Sequence, residues 1–312
     1  EDKLEKGAKR ESTSAWDVAN KYTQYFIKSL NRLNIEKPSK LPKATDHIKD
    51  QINLIKKLEG KNHTYVIDDG VYFDTSTFDS YGQMDRLNLS EQEVGVRIER
   101  NTQKRNPSDF ALWKFSPIDK KRDMEWDSPW GKGFPGWHIE CSAMSMKYLG
   151  ETIDLHGGGI DHIPVHHTNE IAQSEGATGK KFVKYWFHSN FNLVDGKKMA
   201  KSEGNFITLE DIENKGFDLM AFRLLVLQSH YKTEAHFSWK NLKAAQNRLK
   251  DLEAMADLKF QLINDNYPIS YKLKDYQLKI LELLADDLNT PQALSNVSEV
   301  AQTINNSLLR KS

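Results

Sequence analysis

Three residues in the middle of the sequence could hold a metal ion: Cys141, His166 and Glu170. His166 and Glu170 are four apart, so a helix through them places both side chains on one face. Cys141 precedes that helix by one helix and one strand, close enough to converge on it. A thiolate, an imidazole and a carboxylate suit zinc, whose catalytic sites hold about three protein ligands and keep one position open. The bland alternative is a small buried cysteine and a histidine that merely lines a helix. His156, His162, His166 and His167 crowd one short stretch of a chain with 10 histidines in all, which favours the metal. The His-Glu-x-x-His spacing is absent, so a zincin peptidase is not supported.

Two further features could serve a nucleotide. Gly157-Gly158-Gly159 follows a short strand and precedes a helix, with Asp161 just beyond. Such a turn would let a ligand approach the carboxyl edge of a sheet, and a plain flexible turn explains it equally well. Lys197, Lys198 and Lys201 lie between Gly196 and Gly204. They make either a basic loop that closes over a polyphosphate or a solvated turn.

The elements that must position these residues follow from periodicity. Ser14 and Asp17 have capping-box spacing, and Trp16, Tyr22, Phe26, Leu30 and Leu33 follow at helical intervals. After Pro38 and Pro42, a second helix carries Ile48, Ile52, Ile55 and Leu58 and stops at Gly60. Residues 65–73 read as a hairpin around Asp68-Asp69-Gly70. Residues 74–135 are polar and punctuated, with basic runs that read as solvated loops and a rigid Trp/Gly/Pro-dense loop from Trp126 to Pro135. A helix through Cys141, a strand at 153–156, a helix from about 165 to 175 and a strand at 182–187 give the rhythm of a parallel α/β sheet. Beyond Lys201 the pattern is helical, with a bundle of three helices at 239–258, 276–288 and 291–309.

Composition bounds the rest. The 312 residues suggest two domains, with a third possible. Lys+Arg and Asp+Glu are 44 each, so the chain is no polycation and any nucleic-acid contact must be local. No apolar run approaches a membrane span, and no signal-peptide pattern opens the chain. One cysteine excludes a disulfide framework and fits a reducing compartment. Glu1 opens in charged text resembling the interior of a protein, which suggests an N-terminal truncation.

At the chemistry-bearing residues the chain resembles the cysteinyl-tRNA synthetase family of class I aminoacyl-tRNA synthetases. The matching text is GWHIECSAM at Gly136 to Met144, HGGGID at His156 to Asp161, HHTNEIAQSE at His166 to Glu175, and KMAKSEGNF at Lys198 to Phe206, a version of KMSKS. RNPSDFALWK, WDSPWGKG and DDLNTP agree less specifically. The resemblance implies an α/β fold: a class I Rossmann-like catalytic domain (1–62 and 129–191) with an inserted connective domain (63–128) for the acceptor end of tRNA. A KMSKS-type loop and stem-contact region (192–240) and an α-helical bundle (241–312) would follow.

The implied activity is ATP-dependent activation of L-cysteine to an adenylate and transfer to tRNA(Cys), by a cytoplasmic monomer with no membrane role. The implied cofactor is one zinc, with ATP used together with magnesium. Cys141, His166 and Glu170 match three zinc ligands, and Trp137 and His156 match residues beside the bound amino acid. Gly157, Gly158, Gly159 and Asp161 match the adenosine side. Lys198 and Lys201 match the two signature lysines, with Lys201 the catalytic one, also on the nucleotide. In the family a second zinc cysteine and the HIGH signature lie upstream of where this chain begins, so the chain as written is expected to be inactive alone. PHHENE reads VHHTNE here, and KMSKS reads KMAKS. The rival readings are a cysteine ligase with a small amine acceptor, as in mycothiol synthesis, a noncatalytic tRNA-binding paralogue, and a zinc hydrolase.

Overall fold

The computed structural model describes residues 2–84, 101–119, 121–199, 204–257 and 269–309. They fall into two compact units. One comprises residues 1–26 and 38–187, the other residues 27–37 and 188–312.

The first unit opens with α1 (Asp2–Glu11) and the start of α2 (Ala15–Arg32). The capping box expected at Ser14 and Asp17 forms reciprocally, the Asp17 amide donating to Ser14 Oγ at 3.1 Å and the Ser14 amide to the Asp17 carboxylate at 3.4 Å. Helix α3 (Ile48–Glu59) buries Leu54, Ile55 and Leu58. Strands β1 (Thr64–Ile67), β2 (Gly70–Phe73), β3 (Phe110–Phe115) and β4 (Gly133–Pro135) form an antiparallel sheet in sequence order. The hairpin is where the residues place it, whereas β3 and β4 lie in text that reads as loop. Leu112 and Trp113 are both fully buried although adjacent, so β3 lacks the alternation that would mark a half-exposed strand.

Helix α4 (Trp137–Leu149) follows, then β5 (Ile153–Gly159), α5 (Thr168–Thr178) and β6 (Val183–Ser189). Strands β5 and β6 pair. They run in the same direction: the Ile153 amide donates to Phe182 O at 2.8 Å, Lys184 pairs with Asp154 at 2.8 Å, and Gly157 lies against Phe187. This is the expected β–α–β crossover. One core joins Ile55 and Leu58 of α3, Phe73 and Trp113 of the sheet, Ile139 of α4 and Ala172 of α5, so the sheet backs directly onto the helices that carry the candidate ligands.

In the second unit β7 (Asn192–Val194) lies between β8 (Lys197–Lys198), antiparallel to it, and β9 (Ala235–Phe237), parallel to it. Strand β9 interrupts the helical pattern expected beyond Lys201, whereas β7 and β8 precede that stretch. Helices α6 (Leu209–Asn214) and α7 (Leu219–Leu227) share a core with Phe237 and with Leu242 of α8 (Trp239–Ala256). Helices α9 (Ile269–Ala285) and α10 (Thr290–Leu309) complete the three expected bundle helices, α9 starting earlier than its apolar pattern indicates. Arg248 joins α8 to α10 through Leu294 O at 2.8 Å and Ser298 Oγ at 2.9 Å. No helix among the described residues is long and apolar enough to cross a membrane.

Where β3 and β4 meet, the backbones leave no room for a side chain at Gly133. A Cβ there would stand 2.0 Å from Lys114 O and 2.7 Å from Trp113 Nε1. Gly133→Ala is therefore expected to destabilise the first unit by about 1–3 kcal/mol, the range for overpacking. Urea denaturation checks this, and a midpoint unchanged from wild type would refute it.

Candidate metal centre

Helix α4 begins directly after Pro135-Gly136 and places Trp137, His138 and Cys141 in its first turns. The opposing wall is not the continuous α-helix that the four-residue spacing implies. Residues Ile163–His167 form a π-helical turn that leads into α5. A π turn is wider by one residue, and it lets consecutive side chains share an inner face. His166 and His167 are both buried, at 5% and 1% exposure. Thr168 closes the junction, its hydroxyl donating to Ile163 O at 2.7 Å. The departure from the family text at Thr168 thus supplies a partner for a carbonyl of that turn.

The ligand atoms of Cys141, His166 and Glu170 all lie within 4.8 Å of one another. A second group, His156, His167 and Glu170, meets the same limit. Glu170 belongs to both and is fully buried. Its Oε2 is hydrogen-bonded to His156 Nε2 at 2.9 Å. Its Oε1 has no hydrogen-bond partner among the described residues, and His166 Nε2 stands 3.6 Å away. A buried carboxylate with one oxygen unsatisfied is costly unless a cation sits there. The thiol, imidazole and carboxylate around that orphaned oxygen are a donor set that fits zinc.

The protonation states are consistent with this fit. Burial, with His166 and His162 nearby, pushes His138 down to about 3, so its ring is neutral. Burial also lowers His166, against the opposing pull of Glu170. His138 and His166 face each other Nδ1 to Nδ1 at 2.7 Å, a pairing that needs one proton between them. If His166 supplies that proton, its Nε2 is bare and can ligate a metal. Trp137, 57% exposed, stacks on His166 with ring centres 4.3 Å apart. Burial, followed by Glu170 and Glu140, pushes the Cys141 thiol up to about 12.

The other sequence-derived residues are placed as follows. His156 lies on β5, where its strong contact is with Glu170. The three glycines are not a turn. Strand β5 runs through Gly157, Gly158 and Gly159, and none has a positive φ. Their smallness makes room for rings: a Cβ on Gly158 would meet His162 Nδ1 and His167 Cε1, each at 2.6 Å. Asp161 is exposed in the short turn that follows β5. In the second unit Lys198 is exposed, with its Nζ 3.7 Å from the Phe191 ring centre, and its carbonyl accepts from Asn205 Nδ2 at 3.1 Å. Lys201 lies outside the described residues. Sequence reasoning missed His138, although its position three residues before Cys141 put it on the same helical face.

Comparison with known proteins adds to this geometry. Residues 1–247 match the family of tRNA synthetases class I (C) catalytic domains, and residues 279–312 match the DALR domain. The chain is 45% identical to the cysteine–tRNA ligase of Treponema denticola, over 95% of this chain and 64% of that protein. It is also 45% identical to cysteine–tRNA ligase 1 of Burkholderia lata, over 95% of this chain and 61% of that one. The chain thus spans less than two thirds of the length of these relatives. Among solved structures, Mycobacterium tuberculosis methionyl-tRNA synthetase in complex with methionyl-adenylate is similar with a TM-score of 0.69. It is 14% identical over 99% of this chain and 75% of that one, a likeness of fold alone.

A thiol held near 12 is almost wholly protonated at neutral pH. Iodoacetamide should therefore alkylate the metal-free chain slowly at pH 8, with a rate still rising about tenfold per pH unit through pH 10, because only the thiolate reacts. Mass spectrometry follows the reaction at Cys141, the single cysteine. A plateau near pH 9 would show an ordinary, unperturbed thiol.

Proposed function

We propose a function from the premise that this chain belongs to the family of class I tRNA synthetase (C) catalytic domains. The function is ATP-dependent activation of L-cysteine to cysteinyl-adenylate and transfer of the cysteinyl group to tRNA(Cys). The observation that carries it is the buried Glu170 carboxylate, with its unpartnered oxygen facing His166 and with Cys141 alongside.

Cys141, His166 and Glu170 would hold zinc. When bound, zinc supplies a soft acceptor for the substrate thiolate, which a serine hydroxyl matches poorly. Around the metal, His138 orients the His166 ring, and His156 anchors one oxygen of Glu170 so that the other is presented. Trp137 offers an exposed ring beside His166 against which the amino acid can pack. Gly157, Gly158, Gly159 and Asp161 take the adenosine side. Lys198 and Lys201 neutralise charge that develops on the triphosphate, with its magnesium, as the cysteine carboxylate attacks the α-phosphorus and pyrophosphate leaves. Residues 63–128 would receive the acceptor end of tRNA. The stem would be met by 192–240, with the helices of 241–312 beyond.

The deciding measurement is cysteine-dependent ATP–pyrophosphate exchange by the protein as its gene encodes it. His166→Ala should lower zinc content and raise KM for cysteine. Serine should be activated roughly 10⁴-fold less efficiently without an editing step. Comparable exchange with serine and cysteine would remove metal coordination as the selector. Lys201→Ala should lower kcat about 10²–10³-fold with little change in ATP binding, the scale for losing one preorganised charge-stabilising donor. Ala200→Ser should be nearly neutral. An unchanged rate of adenylate formation in Lys201→Ala would leave the lysines as a solvated turn.

A further inference from the structure

We propose that Ser142 and Gln173 are positioning residues for the metal triad. Their hydrogen bond fixes the registration of α4 on α5, and with it the distance from the Cys141 thiol to His166 and Glu170. The inference rests on the zinc reading above. Ser142 Oγ donates to Gln173 Oε1 at 2.7 Å, and neither residue has exposed surface. Ser142 is the residue after Cys141, and Gln173 lies three beyond Glu170. On each helix, less than one turn separates the bond from a proposed ligand.

Apolar core residues flank the pair, with the buried polar Ser174 next to Gln173 on α5. Ile139 and Ala143 on α4 and Ala172 and Ala177 on α5 belong to the main core. Gln173 Nε2 finds no partner among the described residues. A polar pair that leaves one donor orphaned is a poor source of stability in such a place, since apolar groups of the same shape would serve as well or better. What it adds is direction. Small side chains such as Ala143, Ala172 and Gly176 let packed helices slide by a fraction of an ångström at little cost, whereas a short hydrogen bond in a low-dielectric interior resists that slide. Metal coordination tolerates only about ±0.2 Å in ligand distance. The thiol comes from α4 and the carboxylate from α5, so their separation is set by how these two helices register.

The test uses zinc and cobalt on the metal-free chain, with affinity from chelator competition and the thiolate-to-cobalt charge-transfer band as a direct report on Cys141. Ser142→Ala and the volume-conserving Gln173→Met should each weaken zinc affinity about 10–100-fold, the scale for losing a partner just outside a metal's ligands. Each should also diminish the cobalt band well below the melting temperature. The double variant should bind no more weakly than either single one, because both act through one bond. Val71→Ala, buried in β2, should lower the melting temperature without changing affinity. Should Ser142→Ala fail to fold, Gln173→Met carries the same test. Wild-type affinity and an unchanged band in the single variants would overturn the proposal, as would losses that add in the double variant. Wild-type protein that takes up no metal, or a Cys141→Ala variant that binds as tightly as wild type, would instead overturn the zinc reading, and the positioning role with it.

Discussion

A carboxylate with no exposed surface is the constraint around which the first unit is arranged. Glu170 sits where water cannot solvate it, and its neighbours divide the work. His156 satisfies one oxygen, while His166 and Cys141 border the other. A charge in such a place is tolerable only if paired, hydrogen-bonded or metal-bound. Aromatic rings crowd around it, Trp137 packing on His166 and Trp186 on His167.

The antiparallel sheet, remote in sequence from the ligands, is part of the same arrangement. Phe110 on β3 meets His138 edge to face with ring centres 5.7 Å apart. Tyr81, which follows the β2 hairpin, donates to Asn169 Oδ1 at 2.7 Å, next to Glu170 on α5. Both helices of the site are therefore braced by the sheet and by the residues that follow β2. Asp109 steadies that brace, accepting from Tyr65 OH at 2.7 Å and from the Thr75 amide at 2.8 Å inside the sheet.

Much of this was legible in the residues themselves, and the exceptions have physical causes. The candidate ligands showed through type and spacing, α2 and α3 through their apolar period, and the first hairpin through its Asp-Gly turn. Helix α1 did not show, because its text is charged and holds Gly7, and it is helical through packing of Ala8 near Ala15 and Val18. Strands β7 to β9 are two or three residues long, too short for any period to register. The glycine triplet looked like a turn, since glycine marks turns more often than it makes space for a ring. The pairing of His156 with Glu170 and that of Ser142 with Gln173 join residues on different elements, and one-dimensional spacing carries no trace of either.

The π turn at Ile163–His167 also shapes how this segment can change over evolutionary time. Val165, half exposed within it, can be exchanged for many residues, because its side chain faces outward. Loss of a single codon is another matter. Loss of one residue ahead of His166 would let the turn relax into an ordinary α-helix and rotate what precedes it by about 100°, carrying His156 out of register with Glu170. The turn is thus open to substitution at Val165 and rigid in length, so descendants of this sequence should vary at that position but not in count.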